Sequence, residues 1–206
     1  SGVTLYVDGD LTLAAGSTLS IAAGQVIKFE TGHFLSVNGT LNAVGTASEK
    51  IIFTSYRDDA ANGDSNGNGE TTGVAGDWEA IYFNDGSDGS VLRHAEVRYA
   101  GNAASPGNGS FFRYGIYLER SEGIVIRDVL IKDSDGDGLQ WVSTGSFTLQ
   151  NVRVEGARQN AFRGSATAAP TLIGLSAFNT LGDRLFLDGG TLGADLNLNQ
   201  AAIGNL

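Results

Sequence analysis

One segment of the chain, DSNGNGE at residues 64–70, alternates short oxygen-bearing side chains with small residues. Asp64, Asn66 and Asn68 fall at positions 1, 3 and 5 of a calcium-loop pattern, and Gly69 falls at position 6. Calcium prefers about six to eight oxygen ligands, and such side chains can fold over one ion where glycine permits a sharp turn. The segment therefore predicts a calcium site.

The pattern departs from an EF-hand at its twelfth position, which is Ala75 where a bidentate Glu is needed. Other acidic residues of the insertion at 57–78 would have to complete the site. The predicted ligand set is Asp58, Asp59, Asp64, Asn66, Asn68, Glu70 and Asp77. A solvated Asp/Asn loop without metal is the alternative. Calcium is favoured because a long loop with almost no apolar side chains cannot be ordered by burial.

A second segment, DSDGDG at residues 133–138, also matches an alternating acidic pattern. It lies between two repeats of the chain, where Gly and Asp are expected simply to turn the backbone. An ordinary turn is therefore favoured here over calcium.

Residues that could catalyse a reaction are sparse. The two histidines, His33 and His94, lie in different repeats and form no metal motif, and the chain has no Cys. Polysaccharide cleavage by a basic residue near carboxylates is the enzymatic alternative. The candidates are Arg93, Arg98, Arg113, Arg120, Arg127 and Lys132, near Asp128, Asp133, Asp135 and Asp137. Such charges more often form a solvated outer face, so a non-catalytic role is favoured.

The elements that carry these residues are short strands in a regular repeat. Alternating apolar runs bounded by Gly, Asn, Asp or Ser predict strands and turns. Apolar residues recur at intervals of 23: Ile116, Leu139, Phe162 and Leu185; Val129, Val152, Leu175 and Leu198; Ile131, Val154 and Ala177. In the N-terminal part the interval is 24: Leu11 with Leu35, Leu13 with Val37, Ile27 with Ile51, and Phe29 with Phe53.

This period predicts an all-β fold, a parallel β-helix of about eight coils, in one domain over residues 1–206. Two insertions interrupt the repeat, at 57–78 and 100–113. A β-propeller would need a longer period, and a β-sandwich needs no fixed one. Lys132 with Glu155, and Asp128 with Asn151, are predicted neighbours on the outside. Trp78 and Trp141 are predicted to face the core.

The first half of the chain also resembles the parallel β-helix modules of bacterial secreted and cell-surface proteins. The likeness rests on the segments GSTLSI, VNGTLNAVGT, IIFTS, DD, GDW and VRYAG. The second half matches only the general coil pattern of the pectin-lyase-like superfold. The resemblance implies right-handed coiling and an extracellular or cell-surface setting, and it implies no particular activity.

Composition restricts the partners. The net charge of −10 disfavours nucleic acid and anionic membranes, and no apolar run is long enough to span a bilayer. We therefore predict a monomeric, calcium-stabilised structural or adhesive module. Its expected partners are a surface glycan or protein and neighbouring domains of a parent chain. A polysaccharide-binding or polysaccharide-cleaving domain is the alternative.

Overall fold

The structure is a computed structural model that describes residues 3–102, 113–120, 122–142, 145–192, 195–199 and 206. Every regular element within these residues is a β-strand, which confirms the predicted all-β class. Most of the predicted insertion at 100–113 lies outside the described residues. No helix in the described part of the chain is long and apolar enough to cross a membrane.

Seventeen strands are present in the described residues. They are β1 (Thr4–Val7), β2 (Leu11–Leu13), β3 (Thr18–Ile21), β4 (Val26–Phe29), β5 (Leu35–Val37), β6 (Thr40–Val44), β7 (Ile51–Ser55), β8 (Ile81–Phe83), β9 (Val91–Arg98), β10 (Tyr114–Glu119), β11 (Ile124–Lys132), β12 (Asp137–Val142), β13 (Ser146–Glu155), β14 (Asn160–Ser165), β15 (Ala169–Ile173), β16 (Ser176–Phe178) and β17 (Gly182–Asp188).

The strands form two parallel sheets. One sheet has seven strands in the order β2-β5-β8-β10-β12-β14-β17. The other has ten strands, with β1-β4-β7-β9-β11-β13-β15 as its main path and with β3, β6 and β16 paired beside it. Each strand pairs with a strand of the next repeat rather than with its neighbour in sequence. This arrangement is compatible with the predicted solenoid.

The register of the sheets confirms the 23-residue interval in the second half. In the seven-stranded sheet, Leu139 lies opposite both Ile116 and Phe162. The other confirmed partners are Phe162 with Leu185, Val129 with Val152, Ile131 with Val154, and Val154 with Ala177. Residues 23 places apart therefore lie side by side, and their apolar side chains form continuous rows inside the molecule.

The repeat ends earlier than predicted. Leu175 is fully buried, but Leu198 lies outside the strands and is 42% exposed. The prediction that Leu198 continues the row of Leu175 was therefore wrong. An interval alone cannot indicate where a repeat stops, because a single leucine at the right spacing carries no information about the turns around it.

The N-terminal register is only partly the predicted one. The interval of 24 holds between β2 and β5, where Leu11 lies opposite Leu35. It is wrong between β4 and β7, because Ile27 pairs with Phe53 and Phe29 with Ser55. The interval there is 26 residues, two more than predicted, and the turn before β7 is two residues longer than the turn before β4. A slip of two residues keeps every side chain on its own face, so alternation could not reveal it.

The long strands β11 and β13 each contain a corner. Asp128 and Asn151 have positive φ angles of 54° and 52°, and His94 has 47° in the neighbouring strand β9. Asp and Asn tolerate this left-handed conformation better than most residues. Ile126 and Val129 are both buried, one on each side of the corner. The alternation of buried and outward-facing side chains therefore changes phase there. Asn151 Nδ2 donates to Asp128 Oδ1 at 2.8 Å, which confirms this predicted outside contact.

Lys132 and Glu155 are neighbours as predicted, although their charged groups pair with other residues. The two residues lie opposite each other in the register. Lys132 Nζ instead lies 3.9 Å from Asp133 Oδ2, and Arg153 Nε lies 2.5 Å from Glu155 Oε1. The register brings the two backbones together, but each charged side chain forms its ion pair with a residue that is close to it in sequence.

Both tryptophans face the core, as predicted. Trp78 is fully buried and stacks on Phe29, with ring centroids 4.4 Å apart. Its indole N–H donates to Arg98 O at 2.7 Å. Trp141 is also fully buried, and it lies against Gly164 of the next strand. A Cβ at Gly164 would come within 1.9 Å of the Trp141 ring, so only glycine fits beneath it.

Candidate functional site: the anchored loop

The loop at residues 57–78 leaves the ten-stranded sheet at the end of β7 and returns to the seven-stranded sheet before β8. Its first anchor is Asp58, which is 1% exposed. Thr54 Oγ1 donates to Asp58 Oδ2 at 2.7 Å, and Arg98 Nη1 donates to the same oxygen at 3.1 Å. Arg98 also bonds Glu96, so the start of the loop is tied to β7 and β9.

Asp77 anchors the end of the loop. Its Oδ2 accepts hydrogen bonds from Ser55 Oγ at 2.7 Å and from Val74 N at 2.8 Å. Arg57 Nη1 lies 3.8 Å from the other carboxylate oxygen. The two ends of the loop are thus joined through Ser55, the last residue of β7, and through a pair of opposite charges.

Asp59 and Lys28 form a buried pair under the middle of the loop. Lys28 extends from β4, is fully buried, and donates from Nζ to Gly63 O at 2.7 Å. Asp59 Oδ2 accepts from both the backbone N–H and the hydroxyl of Thr71. Asp59 Oδ1 lies 4.0 Å from Lys28 Nζ and has no hydrogen-bond partner in the described part of the chain.

Burial and the nearby carboxylates have opposite effects on the pKa of Lys28. Burial lowers the pKa of Lys28, because a charged ammonium is less favourable away from water. Asp59, Asp58 and Asp64 act against that shift by stabilising the ammonium. Each of the three inner carboxylates, Asp58, Asp59 and Asp77, therefore has a protein cation close to it. The loop base is ordered by these polar contacts rather than by apolar burial.

The outer half of the loop is held by Asp64. Its two carboxylate oxygens accept from Gly67 N at 2.7 Å and from Gly69 N at 2.9 Å. These backbone hydrogen bonds, that of Gly69 first, lower the pKa of Asp64. Asn66 Nδ2 donates to Tyr56 O at 3.2 Å, and Asn68 N donates to Asn66 Oδ1 at 3.3 Å.

The seven predicted calcium ligands thus divide into two groups. Asp58, Asp59 and Asp77 lie at the buried base, whereas Asp64, Asn66, Asn68 and Glu70 lie in the outer half. Asp59, Asp64 and Glu70 line one cavity of about 370 Å³, together with Gly63, Thr71 and Thr72. Among the described residues, no three Asp, Glu or His side chains are grouped closely enough to hold a metal ion.

The residues that organise the loop base include several that sequence reasoning missed, above all Lys28, Thr54 and Ser55. A signal was present for Lys28, which interrupts the apolar run VIKF of β4. A lysine inside such a strand needs a buried acceptor or a covering segment. The sequence does not indicate which of the chain's many acidic residues would cover it.

The second acidic segment, at 133–138, is occupied by protein donors. Asp135 pairs with Arg113 and, at 2.6 Å, with Arg158. Asp137 Oδ1 accepts from the backbone N–H of Asn160 at 2.8 Å and from its side-chain amide at 2.9 Å. Burial raises the pKa of Asp137. These contacts agree with the favoured interpretation of the segment as a turn.

Acidic partners are present for four of the six basic residues considered for catalysis: Arg98, Arg113, Arg127 and Lys132. Arg113 pairs with Asp135, Arg127 Nε lies 3.2 Å from Asp128, and His94 Nε2 lies 3.8 Å from the same Asp128 carboxylate. Each pair joins neighbouring repeats or adjacent positions on one strand.

An aromatic group lies on the outer face of the seven-stranded sheet. The ring of Tyr82 contacts those of Phe34, Tyr114 and Tyr117 edge-on, and Tyr114 stacks on Tyr117 at 4.7 Å. Tyr82 Oη donates to Glu79 Oε2 at 3.2 Å. Burial raises the pKa of Glu79, which is 5% exposed. The group was not predicted from the sequence, since strand pairing brings Tyr82 and Tyr117 together.

Comparison with known proteins identifies no relative. No protein-family model, curated protein or solved structure matches the chain. Function must therefore be inferred from the geometry of the chain itself.

Proposed function

We propose that the chain is a non-catalytic structural or adhesive module of an extracellular or cell-surface protein. It is a right-handed parallel β-helix of about eight coils that acts as a stiff scaffold and presents the loop at 57–78. The observation that carries this proposal is the continuous in-register stacking of parallel strands, seven deep in one sheet. Stacked strands joined by backbone hydrogen bonds resist bending along the stack.

The anchored loop supports a presenting role. Its base is bonded to β4, β7 and β9, while its outer half is exposed to solvent. A surface loop fixed at its base offers a binding segment at a small cost in conformational entropy. A surface glycan or protein is the expected ligand, and neighbouring domains of a parent chain are the expected structural partners of a monomeric module.

Calcium belongs to this proposal as a stabiliser of the outer half of the loop. The support is the Asp59 oxygen that lacks a hydrogen-bond partner among the described residues, in a cavity that Asp64 also lines. The inner anchors would then hold the loop base independently of metal.

A second candidate function is polysaccharide binding or cleavage on the outer face of the seven-stranded sheet. The aromatic group around Tyr82 favours it, since sugar rings pack on aromatic side chains, and the buried Glu79 carboxyl lies beside it. A carboxyl with a raised pKa can donate a proton to a leaving oxygen.

One experiment separates the two functions. The chain is incubated with a panel of neutral and uronate polysaccharides, and new reducing ends and unsaturated products are measured. Binding on a glycan array is measured in parallel for the wild type and for Tyr82→Ala. Cleavage of any polysaccharide would contradict the non-catalytic proposal. Binding without cleavage that Tyr82→Ala does not weaken would place adhesion elsewhere, with the loop as the next region to test.

A further inference from the structure

Asn-Gly dipeptides are chemically labile, and the chain has five of them: Asn38, Asn62, Asn66, Asn68 and Asn108 each precede a glycine. Asn108 lies outside the described residues. The lability arises because glycine leaves its backbone nitrogen unhindered, so that this nitrogen can attack the preceding side-chain amide. The structure distinguishes the four described asparagines by what holds each amide.

Three of the four amides are bonded. Asn38 donates to Ser36 Oγ at 3.4 Å and accepts from Asn84 at 3.1 Å. Asn62 donates to Thr4 Oγ1 at 2.6 Å, and Asn66 donates to Tyr56 O at 3.2 Å. Each amide must leave these partners before its carbon can meet the glycine nitrogen. The reaction is slowed accordingly.

Asn68 is different. It is exposed, and its side-chain amide makes no hydrogen bond within the described part of the chain. The following residue, Gly69, has a positive φ of 90°, and a Cβ placed there would meet no atom within 4 Å. The amide is therefore free to rotate, and the backbone after it has open space in which to move.

We propose that Asn68 is a spontaneous modification site, which deamidates through Gly69, and that Asp64 slows the reaction by holding the Gly69 N–H. Asp64 Oδ2 accepts from Gly69 N at 2.9 Å. The nitrogen must leave this carboxylate, lose its proton and turn toward Asn68 before it can react. Asp64 is thus a positioning residue that acts on the nucleophile.

The chemistry needs only water. Gly69 N forms a bond to Asn68 Cγ, the bond from Cγ to the side-chain nitrogen breaks, and ammonia leaves with the proton from Gly69 N. Water then opens the five-membered succinimide at either carbonyl and leaves aspartate or isoaspartate at residue 68. The net change is one amide and one water converted to one carboxylic acid and one ammonia. The outer loop gains a negative charge between Asp64 and Glu70.

Peptide mapping tests the proposal on the intact chain. The purified protein is aged at about pH 8 and digested with trypsin, which cleaves after Arg57 and Arg93 and releases residues 58–93 as one peptide. Fragment ions then locate the gain of about 1 Da. We expect Asn68 to convert at least about five times faster than Asn62 or Asn66, as expected from one hydrogen bond of ordinary strength. A synthetic peptide of residues 58–72, aged in the same way, should show three similar rates.

Three variants complete the test. Asp64→Ala should accelerate conversion at Asn68 by about five-fold, whereas Ser65→Ala, at the exposed neighbouring position, should not. Asn68→Gln should remove the first mass gain. The site assignment is overturned if Asn62 or Asn66 converts first in the folded chain, or if Asn68 stays intact while the synthetic peptide loses half its amides. Equal rates in Asp64→Ala and Ser65→Ala would overturn the role of Asp64.

Discussion

At the scale of single residues, close packing decides where glycine is required. Gly164 lies directly opposite Trp141, and an added Cβ would enter the space of the indole ring. Its backbone does not need a positive φ, so the restriction is steric alone. In this row of side chains, Gly164 lies between Trp141 and Leu187.

We expect Gly164→Ala to lower the free energy of unfolding by about 1–3 kcal/mol, because the Trp141 ring must shift in a closely packed core. Urea denaturation followed by tryptophan fluorescence measures the change. Gly9→Ala is the matched control, since its Cβ would meet no atom within 4 Å. Equal stability of the two variants would contradict the packing shown for Trp141.

The contribution of Glu79 to folding stability depends on pH, and the raised pKa of Glu79 gives the sign of this dependence. Burial raises its pKa in the folded chain, so the folded state binds more protons than the unfolded state just above the ordinary pKa of Glu. The contribution of Glu79 to stability therefore falls as the pH rises from the unfolded pKa through the folded one.

Glu79→Gln removes this titration and keeps an oxygen that can accept from Tyr82 Oη. We expect its stability relative to wild type to increase as the pH rises above the ordinary pKa of Glu, as measured by urea denaturation. Glu49→Gln, at an exposed position, provides the control. A relative stability that decreases over the same range would mean that the ionised form of Glu79 is favoured by folding.

At the scale of elements, the central feature is how a polar loop is held against a sheet. Sequence reasoning assigned this task to a metal ion, because the loop has few apolar side chains. The structure assigns much of it to protein cations, with Lys28, Arg57 and Arg98 facing Asp59, Asp77 and Asp58. The ammonium of Lys28 occupies the kind of position between oxygens in which a metal ion was expected.

Lys28→Met should lower the free energy of unfolding by about 3 kcal/mol, since it leaves a buried carboxylate and the Gly63 carbonyl without their cation. Lys50→Met is the control. Lys50 also pairs with a carboxylate, that of Glu96, but its side chain is 43% exposed, so the loss should stay below about 1 kcal/mol. Denaturation in urea measures both. An unchanged or increased stability of Lys28→Met would show that the buried pair is not an anchor.

Calcium binding is a separate prediction, and it concerns the outer half of the loop. If an ion binds there, removal by EDTA should lower the melting temperature, because a ligand that binds only the folded state stabilises it. Asp64→Ala should reproduce the lower value and abolish the response to EDTA. Scanning calorimetry in EDTA and in millimolar calcium makes the comparison. Identical transitions would contradict a calcium site in the outer half of the loop.

At the scale of the whole molecule, the repeat interval is the unit of folding. Seven parallel strands at a spacing of about 4.8 Å make the smaller sheet about 30 Å long. The rows of buried side chains run through this length. Each repeat makes its hydrogen bonds and side-chain contacts mainly with the repeats next to it. The stack should therefore tolerate the loss of one complete repeat.

Deleting residues 129–151, which is one interval of 23, joins Asp128 to Val152 and keeps every later side chain on its face. We expect this variant to fold cooperatively, with strand-type circular dichroism and a lower melting temperature. Deleting residues 129–150 instead shifts the alternation by one and turns Val152 and Val154 toward solvent. Its unfolding should be broad or absent. Equal stability of the two deletions would exclude a strict register between repeats.

The strand class, the 23-residue interval and the inward face could be inferred from the residues alone, because the alternation of apolar side chains is a local property. The pairing of Leu139 with Ile116 and Phe162 follows directly from it. The two-residue slip between β4 and β7 did not, since an even slip leaves alternation unchanged.

The way in which the loop is held depends on contacts that exist only in the folded chain. The seven predicted ligands share a segment of sequence, yet they separate into a buried base and an exposed outer half. Lys28 lies 31 positions before Asp59 and meets it only because β4 and β7 pair side by side. The partner of a charged side chain depends on which opposite charges lie close to it in space and on how far burial removes the pair from water. A local pattern of residues shows neither of these.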